Sequence, residues 1–99
     1  MIKHIILWKL KAGAPAGAAA EAKARLEALN GQIPGLLSLT VHTGGLPSST
    51  ADMMLDSAFT DTAALAAYQT NPLHVEAAAF VRSVVDTRLC LDFEDGDNA

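Results

Sequence analysis

Alternation with a period of two opens the chain. Ile2, His4, Ile6, Trp8 and Leu10 share one face of a strand predicted over residues 2–11. Ile5 and Leu7 lie on the other face, with Lys3, Lys9 and Lys11 at its ends. Apolar groups on both faces point to a strand covered on two sides. Two glycines and Pro15 make Ala12 to Gly17 a loop. From about Ala18 to Gln32 the period lengthens to that of a helix, with Ala22, Leu26, Leu29 and Ile33 as its apolar stripe. Gly31 and Pro34-Gly35 end it. A second strand follows over Leu36 to Thr43, with Leu37, Leu39 and Val41 on one face and Ser38, Thr40 and His42 on the other. Residues 44–51 read as a connection. A third strand over 52–59 turns Met53, Leu55 and Phe59 one way and Met54 and Ala58 the other. Thr60 and Asp61 can cap a helix that starts near Thr62 and directs Leu65 and Tyr68 inward. Pro72 should break or offset this helix before the pattern resumes through Leu73, Ala77, Phe80, Val81 and Val84. Val85, Leu89, Leu91 and Phe93 align on a fourth strand, about Val85 to Phe93.

This order, β-α-β-β-α-β, predicts an α+β, ferredoxin-like domain with an antiparallel sheet and helices on one face. The other face is also apolar, more than one layer of helices can cover, so a homodimer in which two sheets meet is expected. The whole chain, residues 1–99, reads as a single domain with an acidic tail from about residue 94.

Composition sharpens this picture. Of 99 residues, 51% are hydrophobic and 18% charged, against roughly 25% charged in ordinary soluble domains. That balance excludes a disordered chain and supports a second buried surface. The net charge is −4, but Asp92, Glu94, Asp95 and Asp97 lie in the final eight residues. The eleven acids less these four leave seven, against seven bases, so the body is neutral. With no basic stripe, nucleic acid and anionic membranes are poor partners. No apolar run reaches the length of a membrane span and no signal-peptide pattern appears. A single cysteine, Cys90, fits a reducing compartment, and a cytoplasmic location is expected.

Three segments carry a family likeness. The opening Met1-Ile2-Lys3-His4-Ile5-Ile6-Leu7-Trp8-Lys9-Leu10-Lys11, the turn Ile33-Pro34-Gly35-Leu36, and Phe59 followed by Leu65-Ala66-Ala67-Tyr68-Gln69-Thr70-Asn71-Pro72-Leu73-His74 resemble the stress-responsive A/B barrel domain (Dabb) family. The tyrosine preceding Pro-x-His is the most specific element, and the likeness covers residues 2–93. It implies a ferredoxin-like chain that dimerises through its sheet into an α/β barrel. A plant polyketide cyclase belongs to this family. By that resemblance His74 would be its base, Tyr68 the helper and His4 the first-strand histidine. A third-strand histidine of the cyclase is replaced by Met53, and Asn71 stands where a histidine often precedes the proline.

The residues have their own chemistry. An imidazole titrates near neutrality, so a cavity-facing His4 can polarise a carbonyl or phenol; equally, it can be a core histidine satisfied by the backbone. His74, at the restart of a helix, sits where free N–H groups and the dipole favour the neutral ring that a base needs. The interruption at Pro72 can swing Tyr68 toward it, while its structural alternative is local capping. Trp8, Met53 and Phe59 can line an apolar pocket for a small apolar or aromatic ligand, or simply fill the core. Asp56 interrupts the third strand, and Asp86, Arg88 and Asp92 alternate on the fourth, where Arg88 is the obvious mate for one acid. Cys90 reads as a small buried hydrophobe. The histidines at 4, 42 and 74 are dispersed, and neither a metal nor a cofactor is expected. Two classes of function stay open. One is a ligand binder or enzyme that transfers a proton through His74, resembling polyketide cyclisation. The other is a non-enzymatic, stress-associated structural protein whose role rests on a stable oligomer.

Overall fold

The computed structural model describes residues 1–96, so Asp97 of the expected acidic tail lies outside the described residues. β1 (Ile2–Leu10) buries Ile2, His4, Ile6 and Trp8 and leaves Leu7 and Lys9 exposed. α1 (Ala18–Glu27) turns Ala18, Ala22 and Leu26 to the core. It is a turn shorter than its apolar stripe suggests. After Glu27 the amides of Leu29, Asn30 and Gln32 each bond a carbonyl three residues back, and Gly31 has φ +78°. This tighter winding still delivers Leu29 and Ile33 to the core.

β2 (Leu36–Thr43) and β3 (Met53–Phe59) follow. Gly35, at φ +84°, makes the turn into β2, where a side-chain Cβ would lie 2.4 Å from the Ala64 Cβ. Only glycine allows that approach. The pairing of β2 with β3 slips between Leu36 and Ser38. The bulge turns Leu37 out to solvent, away from the buried side chains of Leu39 and Val41.

The break expected at Pro72 divides the second helical segment into α2 (Thr62–Thr70) and α3 (Pro72–Val84). Asp61 accepts the Ala64 amide at the start of α2. Asn71 is extended and its side chain accepts the Leu73 amide, with Pro72 as the first residue of α3. β4 (Val85–Glu94) completes the fold.

The strands form one antiparallel sheet in the order β2-β3-β1-β4, the ferredoxin-like arrangement, with the helices on one face. The expectation of an α/β barrel is corrected here. The sheet is open, and β2 and β4 are its two edges. Closure would require those edges to pair, and neither has a strand partner on its outer side among the described residues. Among the described residues, no helix is long and apolar enough to cross a membrane.

Register decides what each face offers. On the helix-facing side His4 stands opposite Ser57 of β3 and Asp92 of β4, Ile6 opposite Cys90, and Trp8 opposite Arg88. On the other side Leu7 pairs with Leu89, Ile5 with Leu91 and Lys3 with Phe93. Leu89 and Leu91 are about two-thirds exposed, at 65% and 64%, so this apolar face has no cover among the described residues. The helices also stop short of β4, which leaves the polar groups of its inner side at the rim of a cleft.

Candidate functional site

A cavity of about 240 Å³ lies between the inner face of the sheet and the helices. Ile6, Trp8, Leu26, Leu55, Ala78, Val81 and Val85 make most of its wall apolar. His4, Tyr68, Gln69, His74, Arg82 and Arg88 supply the polar groups. α2 carries Tyr68 in and α3 carries His74. The bend between them lets side chains six positions apart meet, with ring centroids at 4.1 Å and planes tilted by 37°.

Behind these rings is a buried aromatic row. Tyr68 is 4.8 Å from Phe59, and His4 meets both Phe59 and Tyr68 edge-on at 6.2 Å. Phe59 thus supports the site from the core, where Met53 is also packed, opposite Trp8. Of the three apolar candidates, Trp8 is on the cavity wall, while Met53 and Phe59 are buried in the core and are not part of it.

His4 is buried, and its Nδ1 is hydrogen-bonded to the Asp92 carboxylate. An ionised carboxylate only accepts, so His4 Nδ1 is the donor in this bond. Ser57 Oγ donates to the His4 carbonyl at 2.7 Å and fixes the backbone beneath the ring. Burial pushes the Asp92 carboxyl up, but the His4 hydrogen bond and charge, the Cys90 thiol and Arg88 outweigh it and hold the group below its ordinary value. Cys90 is raised, by desolvation first and then by Asp92. Its thiol donates to Asp92 at 3.4 Å and lies 3.8 Å from His4 Nδ1.

Tyr68 and His74 differ from this satisfied pair. The Tyr68 hydroxyl and His74 Nδ1 are both buried with no hydrogen-bond partner. Burial raises the Tyr68 phenol well above its usual value, so it stays protonated and able to donate. Burial lowers His74, opposed by a backbone hydrogen bond at Gln69 and aided by the charges of His4, Arg82 and Arg88. At neutral pH its ring is therefore uncharged. A neutral base and a phenol donor face one apolar space. That combination can take a proton from a bound carbon acid or phenol and stabilise the oxygen that receives the charge.

Sequence reasoning did not find Asp92 as the partner of His4, nor Arg82 and Arg88 as wall residues. His4 and Asp92 are brought together by strand pairing across 88 positions. The one signal was the polar alternation of Arg88, Cys90 and Asp92, which marks the inner side of β4. Arg88 is not the mate of Asp56, which pairs with Lys3 instead. The same register brings His4 Nδ1, Cys90 Sγ and an Asp92 oxygen within 4.8 Å of one another, a set of atoms able to hold a metal ion. The His4–Asp92 hydrogen bond occupies two of those atoms, so a metal would have to displace its proton. His42 lies apart, exposed on the edge strand β2.

The model of the family described as the stress responsive A/B barrel domain matches residues 2–95. Among solved structures, a dimeric protein of ferredoxin-like fold from Bacteroides fragilis is 28% identical, with TM-score 0.86 and 95% of each chain covered. A dimeric ferredoxin-like protein from Thermobifida fusca is 22% identical, with TM-score 0.85, covering 95% of this chain and 90% of that one. A hydroxynitrile lyase from Passiflora edulis is 15% identical, with TM-score 0.83, covering 97% of this chain and 94% of its own. At such identities the last two share the fold alone. No curated protein matches the chain.

Proposed function

The chain belongs to the stress responsive A/B barrel domain family, and from that premise we propose that its cavity binds a small apolar or aromatic molecule and transfers a proton on it. The observation that carries this reading is the pair of buried, unpartnered polar atoms, Tyr68 Oη and His74 Nδ1, on side chains that line the same cavity. Buried polar groups are nearly always bonded. Two orphans side by side are what a site waiting for a polar ligand atom presents. His74 accepts the substrate proton. From a carbon acid the electron pair left behind moves onto the adjacent carbonyl oxygen as an enolate; from a phenol it stays on the oxygen that lost the proton. In either case the Tyr68 hydroxyl donates to that oxygen. His4, its Nδ1 tied to Asp92, is held on the wall of the same cavity. The chemistry resembles polyketide cyclisation, without the third histidine that Met53 replaces.

Trp8 is the one tryptophan in the sequence and lies on the cavity wall, so its fluorescence reports occupancy. A panel of phenolic and polyketide-like compounds should contain ligands that shift Trp8 emission, with at least one turned over. His74→Ala should lower that turnover by about 10² or more, the usual scale of a lost general base. Unchanged binding and turnover in His74→Ala would overturn the assignment.

The exposed apolar face of Leu7, Leu89, Leu91 and Phe93 favours a second element of the reading. Two copies meet there sheet to sheet, as a homodimer, in keeping with the dimeric protein from Bacteroides fragilis. The same face is the one observation that favours a non-enzymatic, stress-associated role resting on a stable oligomer. The lone thiol of Cys90 suits a reducing compartment, and the cytoplasm is the proposed location.

A further inference from the structure

The charges around the cavity are one-sided. None of its thirteen wall residues is Asp or Glu, yet two are arginines, Arg82 from the last turn of α3 and Arg88 from β4. This is out of character for a chain with a net charge of −4. Of the five other bases, three are paired with acids: Lys3 with Asp56, Lys23 with Glu27, and Arg25 with Glu21. Among the described residues neither Arg82 nor Arg88 forms an ion pair. Of the acids that share β4 with Arg88, Asp92 is engaged by His4 and by the Cys90 thiol, and Asp86 accepts from the Thr87 hydroxyl.

We propose that the ligand of this cavity is an amphipathic carboxylate whose apolar body lies against Ile6, Trp8, Leu55 and Val81 and whose carboxylate is held between Arg82 and Arg88. The proposal rests on the reading of the cavity as a ligand site and adds the class of ligand. A guanidinium presents a planar fork of donors that matches a carboxylate in two parallel hydrogen bonds, and two such forks on different elements fix its orientation. The Gln69 amide, on the same wall, is a further donor within the site. The volume of about 240 Å³ lies below the roughly 300–1,000 Å³ of drug-sized pockets, so the body is small: a single aryl ring or a short alkyl chain. The anion also acts on the base. Arg82 and Arg88 help to keep the His74 ring neutral. A carboxylate between them cancels part of that field and makes His74 a stronger proton acceptor only when ligand is present.

The test compares 4-phenylbutyrate with its neutral isostere 4-phenylbutanamide on the full chain, using Trp8 emission for affinity and the His74 ring resonances for its titration. The carboxylate should bind at least about tenfold more tightly than the amide and should raise the His74 titration midpoint, whereas the amide should leave that midpoint in place. In the double variant Arg82→Gln/Arg88→Gln, the preference should fall below about twofold. Both side chains are exposed, and a thermal melt matching the parent establishes that the variant is folded. Equal affinity for the two probes overturns the carboxylate proposal and leaves the ligand site standing. A preference that survives in the double variant also overturns it. If neither probe perturbs Trp8 or His74, the proposal and the ligand-site reading fall together.

Discussion

Replacing Tyr68 by phenylalanine should make the protein more stable, which is unusual for a substitution at a fully buried position. The Tyr68 side chain is 0% exposed, and its ring packs on Phe59 at 4.8 Å and on His74 at 4.1 Å. Phenylalanine keeps both contacts. What is lost is a hydroxyl that is buried without a hydrogen-bond partner, and a buried unsatisfied polar group costs about 1–3 kcal/mol. The space vacated by one oxygen atom returns part of that as a small void, at a cost below the roughly 1 kcal/mol of a missing methylene. The net expectation is a gain of about 0.5–2 kcal/mol. For a domain of this size each kcal/mol moves Tm by about 4–8 °C, so the rise should be several degrees. Urea unfolding and calorimetry measure it directly. The same variant should show a smaller ligand-induced rise in Tm, because the donor that the ligand would meet is gone. A Tyr68→Phe protein less stable than the parent by about 1 kcal/mol or more would mean that the hydroxyl is already bonded. It could not then be waiting for a substrate oxygen.

Asp92 gives a pH signature. Its carboxyl is held below the ordinary value in the fold, so its contribution is present above the unfolded carboxylate range and is lost as pH falls through the folded value. Urea titrations at successively lower pH should show the parent losing stability that Asp92→Asn does not have to lose. Asn71→Ala removes the cap on α3 and should cost about 1 kcal/mol in equilibrium unfolding. Because the cap also sets the bend between α2 and α3, the His74 resonances should shift. Leu91→Asp places a charge at the centre of the uncovered sheet face. Sedimentation equilibrium at micromolar concentration should find the parent dimeric and this variant monomeric; a monomeric parent would remove the basis for the homodimer.

Local patterns made most of the fold legible. Alternation in β1, the three-to-four spacing through Leu26, and Pro72 with its neighbours each act within a few residues, so sequence alone exposes them. Where local periodicity misled, a longer-range constraint was responsible. Leu37 alternates correctly with Leu39 and Val41, but pairing with β3 inserts a bulge that turns it out. The stripe through Leu29 and Ile33 outlasts its helix because tight turns keep the same side buried. Tyr68 and His74 stood out as chemistry, and a proline between them hinted at the bend. Asp92 and Arg88 stood out only as members of a candidate ion pair, since what they face depends on the register of β4 against β1, and Arg82 did not stand out at all. The barrel expectation came from the family likeness and not from any local pattern, and the open sheet corrects it.

The pairing of β1 with β4 also has a consequence for biosynthesis. β1 ends at Leu10 and its outer partner begins at Val85, so the ribosome must add more than seventy residues before that ladder can form. At about 5–20 residues per second, β1 waits roughly 4–15 s with one edge bare. During that interval Ile5, Ile6 and Leu7 form an apolar, strand-forming segment of the kind that recruits other nascent chains. Lys3, Lys9 and Lys11 flank it at both ends, in the position of gatekeeper charges. These lysines thus protect the chain most before the native structure exists, and their replacement by neutral residues would show first in soluble yield, with the melting temperature of the finished protein little changed.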